Sequence, residues 1–189
     1  MKRPARVGVF GGSFNPVHLG HLLAAREAKE RLKLDELIFV PCGRSAYGKK
    51  LMPAALRMKA LKAAIAGEKG YRASDLELKR SGASRTIDTM TALLADSPGT
   101  RFFLLIGADQ VTRFPDWKEA LVLSQLAAIV VLARPGVKPD PRIMRRYAMQ
   151  PLAIPGCDIS SSELRARLAR KASIRWSMPP QSAAILLKA

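Results

Sequence analysis

Acidic and aromatic residues are scarce in this sequence. Fifteen Asp and Glu stand against 32 Lys and Arg, for a formal charge of +17, and Phe, Trp and Tyr together make up 6%. Such a charge draws nucleotides, nucleic acids and anionic surfaces alike, largely without specificity and under salt screening. Dedicated nucleic-acid binding is helped by aromatics interleaved with the cations, so their scarcity leads us to expect no specific nucleic-acid partner. The only cysteines, Cys42 and Cys157, fall in loop-like surroundings without metal-ligand spacing, which argues against a disulfide framework or a zinc cluster. No apolar run approaches the ~20 residues a bilayer-crossing helix needs. The basic start Met1 to Arg6 runs straight into a strand-like segment rather than a signal-peptide core, so a cytoplasmic protein with no membrane partner is expected. Internal repeats, low-complexity stretches, the G-x-G-x-x-G fingerprint and a P-loop are also absent.

What is present is concentrated in residues 10 to 21, Phe-Gly-Gly-Ser-Phe-Asn-Pro-Val-His-Leu-Gly-His. They follow the apolar run Val7 to Phe10, which reads as a buried strand, and lead into Leu22 to Ala28, which reads as a helix. Gly11, Gly12, Ser13 and Phe14 form a turn whose glycines let the backbone approach a polyphosphate. The helix start offers unpaired N–H groups and a favourable dipole, and His18 and His21 lie three residues apart on one face. Strand, glycine turn and helix start together predict a site for anionic phosphoryl groups.

Short apolar runs at Val7 to Phe10, Leu37 to Val40, Phe102 to Ile106 and Ala127 to Leu132 alternate with segments of helical period at His18 to Leu32, Pro53 to Ala66, Thr86 to Ala95 and Phe114 to Leu123. This alternation predicts an α/β fold, a doubly wound, Rossmann-like parallel sheet with helices on both faces. At 189 residues and 48% hydrophobic content, one domain spanning 1–189 is expected. Gly43 to Lys50 and Arg134 to Pro141 read as loops.

Two further segments fall where ligands bind such a sheet, beyond the strand ends. Phe103 to Ile106 leads into Gly107, Ala108 and Asp109, putting a carboxylate at the rim, where it could bond ribose hydroxyls; Trp117 follows a proline turn and offers a flat face for an aromatic base. Gly156 to Arg165 reads as a helix start, capped by Asp158 or one of the serines, with Glu163 placed to close a capping box.

The stretch Gly12-Ser-Phe-Asn-Pro-Val-His-Leu-Gly-His21 resembles the motif of the nucleotidyltransferases whose nucleotide fold is like that of class I aminoacyl-tRNA synthetases. Asp75 to Gly82, Ser84-Arg85-Thr86-Ile87-Asp88-Thr89, Ile106 to Asp109, Trp117 and Ala133-Arg134-Pro135-Gly136 narrow the resemblance to the bacterial nicotinate-nucleotide adenylyltransferase family, from about Val7 to Arg175. The resemblance implies transfer of AMP from ATP to nicotinate mononucleotide, with Mg²⁺ bound mainly through the ATP phosphates and no protein metal site. It assigns the reacting phosphates to His18, His21 and Arg165, and ATP contacts to Gly11, Gly12, Ser13, Phe14, Gly107, Asp109, Arg134, Ile159, Ser160 and Ser161. Nicotinate mononucleotide falls to Asn15, Lys49, Ser84, Arg85, Thr86, Trp117 and Lys118, the ring stacking on Trp117 and its carboxylate meeting backbone N–H groups near Thr86 and Lys118. The family's usual Pro-Pro-His-Lys is replaced by Arg44 to Lys50, leaving Lys49 or Lys50 as the cation, and Arg85 stands where Tyr is usual. Nicotinamide mononucleotide and phosphopantetheine are the alternative acceptors, and a nucleic-acid-binding protein without catalysis is the alternative outside enzymes.

Overall fold

The computed structural model describes residues 3–45, 48–133 and 136–188. Six strands, β1 (Arg6–Gly12), β2 (Glu36–Pro41), β3 (Tyr71–Ala73), β4 (Arg101–Gly107), β5 (Ala128–Leu132) and β6 (Gln150–Leu152), form one sheet in the order β3-β2-β1-β4-β5-β6. Every pairing is parallel, with Val9 opposite Ile38 on one side and Leu104 on the other. This is the expected α/β Rossmann-like sheet. Strand order reverses between β1 and β4, so the crevice at their carboxyl ends is where a ligand binds in this topology.

The apolar runs form strands because both faces of the sheet are covered. Val7, Val9, Ile38, Val40, Leu104, Ile106, Ile129 and Val131 face α3 (Thr86–Asp96) and α4 (Ala120–Leu126), packing with Ile87, Met90, Leu93 and Leu123. Phe10, Leu37, Phe39, Phe103, Leu105, Val130 and Leu132 face the other layer, α1 (Leu19–Arg31), α2 (Ala54–Ala64), α6 (Ser161–Ala169) and α7 (Pro180–Leu187). Alternate side chains thus enter two separate cores, each fully buried Leu or Met contributing about 1.5–3 kcal/mol. The buried residues of α1 are Ala24, Ala25 and Ala28 beside Glu27, and the three small side chains let the helix lie close to β1.

The predicted helix from Phe114 to Leu123 is not continuous. Residues Ala108–Asp116 form a 3-10 helix, Trp117 is extended, and α4 begins only after Glu119, whose φ of 57° lies in the left-handed region. Pro115 cannot donate to a helix ladder, and the break turns Trp117 toward the sheet rim. The two edge strands and α5 (Pro141–Arg146) and α7 were not anticipated from the apolar pattern.

Candidate active site

At the carboxyl ends of β1 and β4 lies a cleft of about 1160 Å³. Gly11 and Gly12 end β1 in its wall, and a Cβ added to Gly11 would meet no atom within 4 Å, so that backbone is open to the cleft. Phe14, with φ of 40°, turns its ring away from the cleft into the core against Phe10 and Phe39. Its place is under the loop, and contact with a ligand through its side chain is not what the geometry offers.

His18 is the N-cap of α1, and its own N–H donates to Nδ1 of His21 at 3.3 Å. In a neutral imidazole, the nitrogen that accepts leaves the proton on the other. His21 therefore carries its proton on Nε2. The two rings lie with centroids 3.7 Å apart at a tilt of 35°, and a Cβ added at Gly20 would come within 3.1 Å of the His18 ring, a tight contact that glycine avoids.

The start of α6 is brought to the same place from the far end of the chain. The Ser161 hydroxyl donates to the Pro16 carbonyl at 2.9 Å, and Arg165 donates through one terminal nitrogen to the Asn15 carbonyl at 2.8 Å. Among the capping candidates the structure uses Ser160, whose Oγ accepts from the Glu163 N–H at 3.2 Å. These bonds sort the serines chemically. Ser161 has spent its proton on Pro16, whereas Ser160 accepts through a lone pair and keeps its O–H. Ser162 likewise accepts, from Arg165 at 3.1 Å. Arg165 has other N–H groups in its fork for an anion.

Gly11, Gly12, Ser13, Asn15, His18, His21, Lys49, Ser84, Thr86, Gly107, Asp109, Trp117, Ile159, Ser160, Ser161 and Arg165 all line this one cleft. Among the described residues, Arg44, Lys49, Lys50 and Arg165 line it against the carboxylates of Glu77 and Asp109, giving a cationic bias suited to phosphates. A Cβ at Gly107 would sit 2.5 Å from Asp109 Oδ1, so glycine here lets the carboxylate keep its present place. The Trp117 ring packs on Phe114 at 5.1 Å, and its buried indole N–H has no acceptor among the described residues.

Other expected residues are placed differently. Arg85 is the exposed N-cap of α3, and exposed Lys118 lies 3.8 Å from Asp88 and 3.7 Å from Glu119; neither side chain lines the cleft. The Asn15 side chain braces the loop before α2, accepting from the Met52 N–H at 2.8 Å and donating to the Lys50 carbonyl at 3.4 Å. Arg134 lies outside the described residues. Among the described residues, no group of three or more His, Cys, Asp or Glu is gathered to hold a metal ion.

Residues that the sequence reading left out also build the site. Glu77 is buried, lines the cleft and accepts from the Thr89 hydroxyl at 2.7 Å. Cys42 and Cys157 both line the cleft as free thiols, and burial pushes the Cys42 thiol above its usual range. Arg57 is buried at 1% exposure behind the wall. Its signal was available: it precedes Ala60 and Leu61 by three and four residues, on the buried stripe of α2. No helix among the described residues is long and apolar enough to cross a membrane.

Comparison with known proteins gives a consistent result. Residues 9–167 match the profile of the cytidylyltransferase-like family. A Thermus thermophilus protein named "Probable nicotinate-nucleotide adenylyltransferase" is 39% identical over 174 residues, covering 92% of each chain. A Dehalococcoides mccartyi protein of the same name is 36% identical over 193 residues, covering 96% of this chain and 94% of its own. The solved Plasmodium falciparum nicotinic acid mononucleotide adenylyltransferase complexed with NaAD superposes with a TM-score of 0.83 at 22% identity, covering 97% of this chain and 95% of that one. At that identity the superposition speaks for the fold.

Proposed function

This chain belongs to the cytidylyltransferase-like family, among its nicotinate-nucleotide adenylyltransferases, and on that footing we propose that it transfers AMP from ATP to nicotinate mononucleotide. The products are nicotinate adenine dinucleotide and pyrophosphate, a step of NAD synthesis. The observation that carries the reading is the meeting of two helix starts, α1 with its histidines and α6 with its serines and Arg165, on one cationic cleft. The α6 start brings the N–H groups that precede Glu163, whereas at α1 the Leu19 N–H is given to the Ser177 carbonyl at 2.9 Å and that helix brings its imidazoles, and together the two suit a polyphosphate better than a single phosphate.

A phosphate oxygen of the mononucleotide attacks the α-phosphorus of ATP. The new P–O bond forms as the bond to the bridging oxygen breaks, and the electron pair leaves with pyrophosphate. The nucleophile is anionic at neutral pH, so no general base is needed. The barrier is the approach of two anions and the charge that builds on the α-phosphate and leaving group, and placed donors lower it. His21 donates from Nε2 to the α-phosphate, with His18 beside it. Arg165, the Ser160 hydroxyl and the first N–H groups of α6 take the β- and γ-phosphates. Asp109 accepts from ribose hydroxyls, Trp117 offers its face to the pyridine ring, and Lys49 or Lys50 meets the mononucleotide phosphate. Mg²⁺ would enter as part of the MgATP substrate, held mainly by phosphate and water.

The test is turnover with ATP and, in parallel, nicotinate mononucleotide, nicotinamide mononucleotide and phosphopantetheine, followed by pyrophosphate release and product mass. Preferred formation of nicotinate adenine dinucleotide is expected. A clear preference for either other acceptor overturns the substrate assignment, and no turnover with any acceptor overturns the enzymatic reading.

A further inference from the structure

Arg57 is a buried guanidinium for which the reaction above has no use. It leaves the first turn of α2 and donates to three backbone carbonyls: Nε to Met52 at 3.0 Å, and its two terminal nitrogens to Ser13 and Cys42, each at 2.8 Å. No carboxylate forms an ion pair with it among the described residues. Burial pushes its pKa down, yet a guanidinium stays protonated in neutral solution. A buried cation without a counter-ion is costly, and three carbonyls offset only part of that cost.

The three acceptors explain what the cation does. Ser13 follows β1, Cys42 follows β2 and Met52 precedes α2, and all three line the cleft while Arg57 stands behind them. In a trans peptide the C=O and the next N–H point in opposite directions. Holding the Cys42 carbonyl therefore aims the Gly43 N–H away from Arg57, and it meets Ser84 Oγ at 2.8 Å, next to the start of α3. Holding the Ser13 carbonyl fixes the Phe14 N–H in the same manner within the glycine turn.

We propose that Arg57 is a positioning residue for phosphate binding: its fork sets the three cleft-wall peptides, and its uncompensated charge is balanced by the phosphates of the bound substrates. The proposal rests on the cleft being the nucleotide site argued above. The two halves of the role separate by substitution. Arg57→Met removes charge and fork together, whereas Arg57→Lys keeps the charge but reaches fewer carbonyls.

Two measurements distinguish them, each on protein shown to be folded by circular dichroism: the Kd for inorganic tripolyphosphate, and kcat and KM for ATP with nicotinate mononucleotide. For Arg57→Met, tripolyphosphate affinity and kcat should each fall about ten-fold or more, the scale of one charge-assisted hydrogen bond. Arg57→Lys should recover the affinity to within about three-fold while its kcat stays depressed, since anion attraction follows the charge and alignment follows the fork. A merely structural arginine would lower the melting temperature in both variants and leave both readouts of the folded protein near wild type, which overturns the proposal. Equal loss of affinity in both variants overturns the charge half. If Arg57→Met does not fold, Arg57→Lys decides: wild-type kcat there refutes the positioning role. Wild-type protein that binds tripolyphosphate but does not turn over refutes the function and leaves the Arg57 binding test intact.

Discussion

Replacing His21 separates two jobs that one imidazole performs. Its Nδ1 accepts the His18 N–H at 3.3 Å, closing the first turn of α1, and its Nε2 carries the proton proposed to meet the α-phosphate. His21→Ala removes both, together with ring contacts to His18 at 3.7 Å and Phe14 at 5.1 Å. The bond is long, so its loss is worth about 0.5–1 kcal/mol, and the ring contacts add about 0.5–1.5 kcal/mol. At about 2–4 °C per kcal/mol for a chain of this size, the melting temperature should fall by roughly 2–10 °C. His21→Asn is the sharper variant. Its amide oxygen can occupy the place of Nδ1 and keep the cap, while nothing replaces Nε2. Stability should return toward wild type, yet turnover should stay about 10²–10³-fold low, the usual loss for a donor aimed at developing charge. The assay is pyrophosphate release at saturating ATP and nicotinate mononucleotide, beside thermal melts of the same preparations. A folded His21→Asn protein that turns over within a few-fold of wild type would refute the assignment of the α-phosphate to this nitrogen.

Gly107→Ala places a Cβ where Asp109 Oδ1 now stands, 2.5 Å away, so the carboxylate must swing aside; KM for ATP should rise about ten-fold with little change in kcat, and an unaltered KM would remove Asp109 from the ribose. Ser160→Ala deletes a hydroxyl that keeps its proton and should weaken ATP binding. Ser161→Ala instead deletes the bond to Pro16 and should leave ATP affinity nearer wild type, while both variants lose about 0.5–2 kcal/mol of stability, Ser160→Ala through the helix cap; equal losses of ATP affinity would contradict the sorting of the two serines. Asp35 is held below its usual 3.8 chiefly by the Arg6 N–H and then by Arg3. A carboxylate with a depressed folded-state pKa stabilises above its unfolded value and loses that contribution as pH falls through the folded one. The urea midpoint of Asp35→Ala should therefore lie below wild type at neutral pH and converge with it in strong acid.

The sheet was legible because its central strands are buried on both faces and need unbroken apolar runs, as in Val7 to Phe10 and Phe102 to Ile106. The edge strands were not, because three residues are too few for a pattern: β3 carries the exposed Arg72 in an ion pair with Glu36, and β6 contains Pro151, both features of sheet edges. The histidines, the glycine turn and the serine cluster could be read because they are contiguous. Glu77 could not, since its burial depends on segments distant in sequence; Arg57 sat on the buried stripe of α2, but a lone charge on a helix is ordinarily solvated and the stripe alone did not single it out. Arg85 and Lys118 were placed near the ligand by resemblance alone, and their side chains take exposed positions around the start of α3. Even in the serine run, the spacing gave the helix start, while the division of labour among the hydroxyls needed the Pro16 and Asn15 carbonyls from the other end of the chain.

The way α6 reaches the cleft sets which part of the site is easiest to open. β1 and β4 are neighbours in the sheet, so the glycine turn and Asp109 are fixed relative to each other by a continuous ladder. α6 follows the edge strand β6, and residues 154–160 must run back along the rim to bring it over β1. What holds it there is local: Ser161 to Pro16, Arg165 to Asn15, and Leu164 buried in the core. A neutral bond is worth about 0.5–1.5 kcal/mol and a charge-assisted one about 1.5–3 kcal/mol. Burial of Leu164 adds about 1.5–3 kcal/mol, so these contacts together come to about 3.5–7.5 kcal/mol before the entropy of ordering the segment is subtracted, no more than the lower part of a whole domain's 5–15 kcal/mol. Since Arg165 both docks the helix and faces the cleft, a bound polyphosphate would draw on the same guanidinium that closes the site. A polyphosphate on that guanidinium would add to the bonds that dock α6 on the glycine turn.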